Sequence, residues 1–361
     1  MSMELKRLKI AVAMSGGLDS TMTALILKEQ GHDVTGVTAD FSAGIPSGRL
    51  NPFINRGAME DSRAIAEKFG FPHHILRVEE DFYSAVIDPF CGEYMTGRTP
   101  NPCIMCNPGI KFRSLLRYAL TLGCDALATG HYAGIKQSES GRWHITRGRD
   151  EAKDQSYFLY RLSQDTLSHL LFPLGAYLKS EVRVMARDRG LAIADSPESQ
   201  EICFIPDNDH AAFISRVTGK EPIPGDIVNS EGRVLGRHRG LWRYTIGQRR
   251  GMGLAAERPL YVIKINAADN TVVAGFREEL DVRGLLATGI HYMKETSLDG
   301  LAALVKTRSA QRPAQALLRE TPEGVEVIFE ETQQGISPGQ AAVFYNESGD
   351  LLAGGTIEKA L

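Results

Sequence analysis

The sequence predicts an α/β protein: a doubly wound parallel-sheet domain, followed by a small central domain and a C-terminal β-barrel. Three observations predict it. From Lys9 to Thr129, short β-rich runs alternate with amphipathic helical patterns, the signature of strand–helix–strand units. A glycine-rich turn closes the first of those runs. Beyond Leu260, short strands separated by Gly, Asn and Asp turn signals take over.

Lys9–Met14 reads as the first strand and Thr21–Gln30 as the helix after it. Asp33–Ala39 and Glu60–Phe69 repeat the pair, His73–Val78 is a third strand, and Phe112–Leu122 precedes a fourth at Ala126–Thr129. Ligands of such sheets sit beyond the C-terminal strand ends, at a topological switch point. Two loops interrupt the pattern there, Phe41–Gly57 and Gly97–Gly109, and long loops in compact α/β domains are commonly functional. From about Ile205, Pro206, Pro222, Pro224 and Gly225 break the chain and helical periodicity fades. Strands are expected at Tyr261–Ile265, Thr271–Phe276, Val325–Glu330, Ala341–Tyr345 and Leu351–Ile357, forming a small barrel or sandwich. The expected divisions are 1–205, 206–275 and 276–361.

With 361 residues, 43% hydrophobic and 24% charged, the composition is that of a folded protein with room for more than one domain. The apolar run Ile10–Met14 is too short for a signal core or a membrane span, so a cytoplasmic protein is expected, without a membrane partner. Five cysteines, at 91, 103, 106, 124 and 203, are a poor disulfide framework in a chain with no export signal. Those that cluster point to thiol chemistry or metal binding; Cys91 and Cys124 stand outside any motif and read as buried, inert thiols. A net charge of −3 announces no nucleic-acid partner, which would need a local basic patch.

The turn after the first strand is Ser15-Gly16-Gly17-Leu18-Asp19-Ser20. Its glycines allow close approach of an anion, its hydroxyls add hydrogen bonds, and the following helix presents its positive end. A Walker loop would carry Gly-Lys-Ser/Thr, and no lysine is present. A plain Ser/Gly turn capping a helix is the bland alternative. The hexapeptide resembles the PP-loop of ATP pyrophosphatases, which implies ATP, release of pyrophosphate, and association of Asp19 with Mg²⁺-bound pyrophosphate. The nucleotide-binding set is Ala13, Met14, Ser15, Gly16, Gly17, Asp19, Ser20, Ala39 and Gly130. Asp40 and His131 are further candidates for the pocket wall.

Thr99-Pro100-Asn101-Pro102-Cys103-Ile104-Met105-Cys106-Asn107 sets two thiols three residues apart on a proline-stiffened loop, and a third lies in Ile202-Cys203-Phe204-Ile205. With these blocks the chain resembles the tRNA-specific 2-thiouridylases over nearly its whole length. Further matches are Ile110-Lys111-Phe112, Ala128–Tyr132, Asp154–Leu159, Phe172–Gly175, Tyr244–Gly251 and Ser337–Gln340. The resemblance implies adenylation of the C2 oxygen of uridine 34 in a tRNA anticodon, then replacement of AMP by sulfur. Cys203 matches the persulfide-bearing cysteine, supplied by an upstream sulfur carrier or cysteine desulfurase. Cys106 matches the partner that attacks the persulfide and leaves a Cys106–Cys203 disulfide. Such chemistry needs low-pKa thiolates in an electropositive, partly exposed place.

The chain departs from the family where Cys103 replaces a usual aspartate, the expected acid/base. It departs again where Asn107-Pro108-Gly109 replaces Asn-Lys-Glu, and where the loop after the second strand lacks the usual aromatic and acidic residues. Cys103, Cys106 and Cys203 could instead hold a [4Fe–4S] cluster with one open iron, or a zinc ion lacking a fourth protein ligand.

Between Arg233 and Arg258 there are seven arginines (233, 237, 239, 243, 249, 250, 258) against Glu257, a local charge of 7 − 1 = +6. Arginine pairs bidentately with phosphate, and Trp242 and Tyr244 within the run are expected to stack on bases; a solvated charged face is the bland alternative. The RNA-binding set is Asn101, His131, Lys153, Asp154, Gln155, Arg249, Arg250, Arg308 and Gln340. The resemblance implies that Lys153–Gln155 meet a flipped-out nucleotide and that Arg308 and Gln340 touch the anticodon arm. Competing readings are a PP-loop amide ligase, which has no use for paired cysteines, and a nucleotide- or RNA-binding protein without activity.

Overall fold

The computed structural model describes residues 7–41, 56–196, 202–205 and 207–361. Most of the expected loop Phe41–Gly57, and Gln200–Glu201 before the third thiol, lie outside them. The chain divides into two compact units: Met1–Val86, Cys103–Pro206 and Gly349–Leu351 form one, and Ile87–Pro102, Asp207–Ser348 and Leu352–Leu361 the other.

In the first unit β1 (Lys9–Ala13), β2 (Asp33–Asp40), β3 (His73–Arg77) and β4 (Ala126–Ala128) form a parallel sheet, completed by β7 (Leu170–Leu171) in the order β3-β2-β1-β4-β7. The hairpin β5 (Ala133–Gln137) and β6 (Trp143–Arg147) separates β4 from β7 in the chain. β1 is apolar because both its faces are covered: Ile10, Ala11 and Val12 are fully buried. Helix α1 (Leu18–Glu29) packs Leu18, Met22, Leu25 and Ile26 with Leu174, Val182 and Ala186. Helix α2 (Arg56–Phe69) helps cover β1, Ala66 joining Ile10, Val12 and Met14. β1 pairs with β2 on one side and β4 on the other, so the switch point falls at its C-terminal end.

The expected helix Phe112–Leu122 begins earlier and is wound differently. Pro102–Cys106 is α-helical, Asn107–Leu115 is a π-helical segment, and Leu116–Thr121 returns to α. Pro108, in the first turn of the π segment, has no N–H to contribute, and π turns concentrate at functional sites.

The second unit holds an antiparallel-rich sheet and a closed barrel. β8 (Gly225–Val228), β9 (Val234–His238), β10 (Tyr261–Asn266) and β11 (Thr271–Gly275) pair in the order β10-β11-β8-β9. The barrel is β12 (Asp281–Tyr292), β13 (Ala302–Lys306), β14 (Ala314–Thr321), β15 (Gly324–Gln334), β16 (Ala341–Tyr345) and β17 (Leu351–Ala360), closed by β12 on β17. Of the two expected forms it is therefore a barrel, and closure removes the free strand edges. The fading helicity after Ile205 is a misreading: His210–Thr218 is a helix, capped by the Asp209 carboxylate on the Ala212 N–H at 2.9 Å and closed by Gly219 at φ 70°. No helix among the described residues is long and apolar enough to cross a membrane.

Leu318, 0% exposed, lies in the barrel core with Leu285, Val327 and Phe344. Leu318→Ala should cost roughly 2–5 kcal/mol, read as an earlier transition in urea unfolding followed by circular dichroism.

Candidate active site

The C-terminal ends of β1, β2 and β4 open onto a cavity of about 220 Å³ lined by Ala13, Met14, Ser15, Asp19, Ser20, Ala39, Gly130, His131 and Gln155, with Phe41, Lys111, Leu115 and Thr129. Side-chain alternation along β2 turns Ala39 and Phe41 toward the cavity, whereas Asp40, expected in the wall, is not among its lining residues. Gly16 and Gly17, also expected at the nucleotide, are not among its lining residues and shape the turn beneath it instead. Gly16 adopts φ +72°, and a Cβ there would meet Ala58 backbone at 2.9 Å. Gly17 is the cap of α1 and lacks a side chain, so no side-chain bond caps the first-turn N–H groups, the arrangement an anion favours. The Ser20 hydroxyl accepts from the Ser15 N–H at 3.1 Å and donates to the Gly17 carbonyl at 3.1 Å, holding the loop closed.

Asp19 is held by a residue outside the expected site. Lys179 donates to both its carboxylate oxygens at 2.6 and 2.7 Å, and the Tyr132 hydroxyl donates at 2.9 Å. Lys179 is 8% exposed and its ammonium lies 5.4 Å from the Tyr132 ring centre. A lysine 160 residues away in the chain thus meets the carboxylate of a loop that has no lysine of its own. The start of the helix Lys179–Asp188 was its only local signal.

The three residues expected to meet the flipped nucleotide behave differently from one another. Gln155 lines the cavity and exchanges two hydrogen bonds with the Tyr132 backbone, at 3.1 and 2.9 Å. The Asp154 carboxylate is fully buried and accepts from the Gly148 N–H, the Ser156 N–H and the Ser156 hydroxyl at 3.1, 3.2 and 2.9 Å, so it builds the turn. Lys153 is half-buried. His131 is 7% exposed and shares a 2.6 Å hydrogen bond between Nδ1 and the Thr129 hydroxyl. Burial, and then the nearby Lys111 charge, push its pKa well below the ordinary value, so the ring is neutral at physiological pH.

Cys103 and Cys203 are exposed and Cys106 is half-buried, and the three lie within one another's electrostatic reach, with Lys111 beside them. The expected low-pKa thiolates are not found. Crowding by protein atoms pushes Cys106 up to about 12 and Cys203 to about 11, the neighbouring thiols add to the rise, and Lys111 opposes it. Cys103 moves up for the same leading reason. The rise is firmest for Cys106, since solvent reaches the other two sulfurs and screens them. Cys91 and Cys124 are buried, as expected of inert thiols, and burial lifts Cys91 to about 12. Among the described residues no group of three or more His, Cys, Asp or Glu side chains is arranged to hold a metal ion, so the three thiols do not present a cluster or zinc site as they stand.

In the second unit all seven arginines of the 233–258 run are exposed. Trp242 and Tyr244, expected as stacking platforms, are instead 8% and 4% exposed, and Tyr244 packs with Ile227, Val262 and Val272 in the sheet's core. Arg308 donates from Nη2 to the Ile246 and Gly335 carbonyls and the Ser337 hydroxyl at 3.0, 2.8 and 3.0 Å, tying the Tyr244–Gly251 segment to the barrel. The Gln340 amide donates to the Thr99 and Pro100 carbonyls at 2.8 and 3.3 Å, and Asn101 beside them is half-buried. Arg249 and Arg250 reach solvent at the end of the tied segment.

Three family models match in succession: tRNA methyl transferase HUP domain over residues 8–207, tRNA methyl transferase PRC-barrel domain over 211–275, and Aminomethyltransferase beta-barrel domain over 282–357. Whole-length relatives carry a different activity in their name, tRNA-specific 2-thiouridylase MnmA. The relative from Geotalea uraniireducens (strain Rf4) is 44% identical over 364 residues, covering 99% of this chain and 96% of that one. The one from Carboxydothermus hydrogenoformans is 45% identical over 361 residues, covering 98% and 99%. The one from Clostridioides difficile (strain 630) is 41% identical over 362 residues, covering 98% and 99%.

Two predictions follow from the geometry. Lys179→Met should slow ATP-dependent pyrophosphate release by ~10²–10³-fold while leaving the circular dichroism spectrum unchanged; an unaltered rate would separate Lys179 from the phosphates. His131, with its folded pKa lowered, adds stability that is present above the unfolded value near 6.5 and is lost as pH falls below it. The parent should lose about 1.4 kcal/mol per pH unit there from this one group, and His131→Gln should flatten that slope in urea unfolding.

Proposed function

The chain belongs to the tRNA-specific 2-thiouridylase family, and we propose that it replaces the C2 oxygen of a tRNA uridine by sulfur in an ATP-dependent reaction. The observation that carries this reading is the adjacency, within one unit, of an anion-ready pocket and three clustered thiols, with Lys111 at both. The likeness over nearly the whole length to 2-thiouridylases supports it, and does not favour the amide ligase or a protein without activity.

The first half-reaction is activation. ATP enters with its phosphates on the uncapped N–H groups of α1 and the Ser15 and Ser20 hydroxyls. Uridine 34 is the assigned target, approaching along Gln155 and His131. Attack of its C2 oxygen on the α-phosphorus releases pyrophosphate and leaves AMP as a leaving group. Asp19 and the two hydroxyls are hard oxygen donors that fit Mg²⁺, provided Lys179 passes from the carboxylate to phosphate; bound there, the ion would neutralise phosphate charge. Neutral His131 can hydrogen-bond the base without repelling Lys111.

In the second half-reaction Cys203 carries a persulfide delivered by a sulfur carrier or desulfurase. The Cys106 sulfur attacks the Cys203 sulfur, hydrosulfide leaves, and a Cys106–Cys203 disulfide forms. Hydrosulfide then adds to C2 and AMP departs; a thiol reductant restores the pair. Cys103, in the place of the usual aspartate and within electrostatic reach of both partners, serves in this reading as the proton donor. We assign 1–205 to catalysis, 206–275 with its exposed arginines to holding RNA, and 276–361 to the barrel.

Incubation with tRNA transcripts, Mg-ATP and a persulfide donor should yield 2-thiouridine by nucleoside mass spectrometry. Cys106→Ser and Cys203→Ser should abolish the thionucleoside yet retain tRNA-stimulated pyrophosphate release, and Asp19→Asn should lose both. Normal thiolation by Cys203→Ser would remove it as sulfur carrier. Pyrophosphate release stimulated by a small carboxylate instead of tRNA would restore the ligase reading.

A further inference from the structure

One side chain outside the assigned site belongs to both halves of it. Lys111 lines the nucleotide cavity alongside Ser15, Asp19, Ser20 and His131. Its charge also acts on Cys103, Cys106 and Cys203, in each case favouring the anionic sulfur.

The local winding explains how one residue serves both. Residues three or four apart share a face of an α-helix, whereas i→i+5 winding brings residues five apart to the same side. Cys106 ends the α-helix Pro102–Cys106, and Lys111 lies five residues on, inside the π segment Asn107–Leu115. Ile110 and Phe112, each at most 1% exposed, anchor the segment in the core. Gly109 lets it approach Ala85 so closely that an added Cβ would lie 3.2 Å from the Ala85 methyl. The buried Asn107 side chain donates to the Phe158 carbonyl at 3.1 Å and fixes where the π winding starts.

We propose that Lys111 is a positioning cation shared by the two half-reactions, facing the nucleotide's phosphates during activation and the sulfurs of Cys106 and Cys203 during transfer. This rests on the 2-thiolation reading. In transfer, negative charge moves from the Cys106 sulfur to the departing hydrosulfide as the Cys106–Cys203 bond forms and the Cys203–sulfane bond breaks. A cation beside this path stabilises the charge at both ends without moving. Phosphates in the cavity compete for the same ammonium, so departure of pyrophosphate returns its field to the thiols. Activation therefore precedes sulfur attack.

The test uses the full chain without tRNA, reading iodoacetamide alkylation of Cys106 and Cys203 by peptide mass spectrometry between about pH 7 and 10, with Lys111→Met, Lys111→Arg and the parent. Lys111→Met should alkylate about tenfold more slowly at the lower pH values, the effect of one pKa unit, and Lys111→Arg should restore the parent rate. Magnesium pyrophosphate should slow the parent toward Lys111→Met and leave Lys111→Met unchanged. Should Lys111→Met lose the parent's cooperative melt, Lys111→Gln takes its place. Equal rates in parent and variant, or a pyrophosphate effect that survives loss of the lysine, would overturn the proposal. Failure of the 2-thiolation reading is separable, because it would leave these alkylation differences intact while no thionucleoside forms.

Discussion

At position 130 there is no room for a side chain. β1 and β4 run parallel in register, Ile10 beside Ala126 and Val12 beside Ala128, so their following turns meet at the sheet's switch point. A Cβ on Gly130 would lie 2.8 Å from the Asp19 backbone and side chain. That close approach sets the distance between the phosphate loop and the Thr129–Tyr132 turn. Tyr132 can then reach Asp19, and His131 can face the cavity that the loop forms. The switch point is where a parallel sheet leaves strand ends uncovered, so the cavity follows from the strand order.

Charge and protonation at the loop and at the thiols follow from their neighbours. Lys179 satisfies both oxygens of Asp19, and the thiols are held largely protonated by crowding and by one another. A protonated thiol is a poor nucleophile and oxidises slowly.

The second unit separates residues that build from residues that face solvent. Tyr244 completes the core of the sheet and Trp242 is buried, while the arginines around them are exposed. Arg308 and Gln340 spend hydrogen-bonding capacity on carbonyls of the Tyr244–Gly251 and Thr99–Pro100 segments. They hold those segments in shape, since a carbonyl tied by a charged or amide donor keeps its loop fixed.

The parallel sheet, the phosphate turn, the paired thiols and the arginine run were legible because each is a local pattern: periodicity, a six-residue turn, a three-residue spacing, a charge excess. The family blocks, in their order, carried the activity. Tertiary structure alone decided that Lys179 meets Asp19 across 160 residues, that Asp154 faces inward, and that Trp242 is core. It also decided that the thiols rise in pKa where the motif suggested a fall, and that Lys111 lies in a π-helical segment and lines the cavity. The reason is physical: burial and electrostatic reach depend on separations in space, which packing sets and chain spacing does not record.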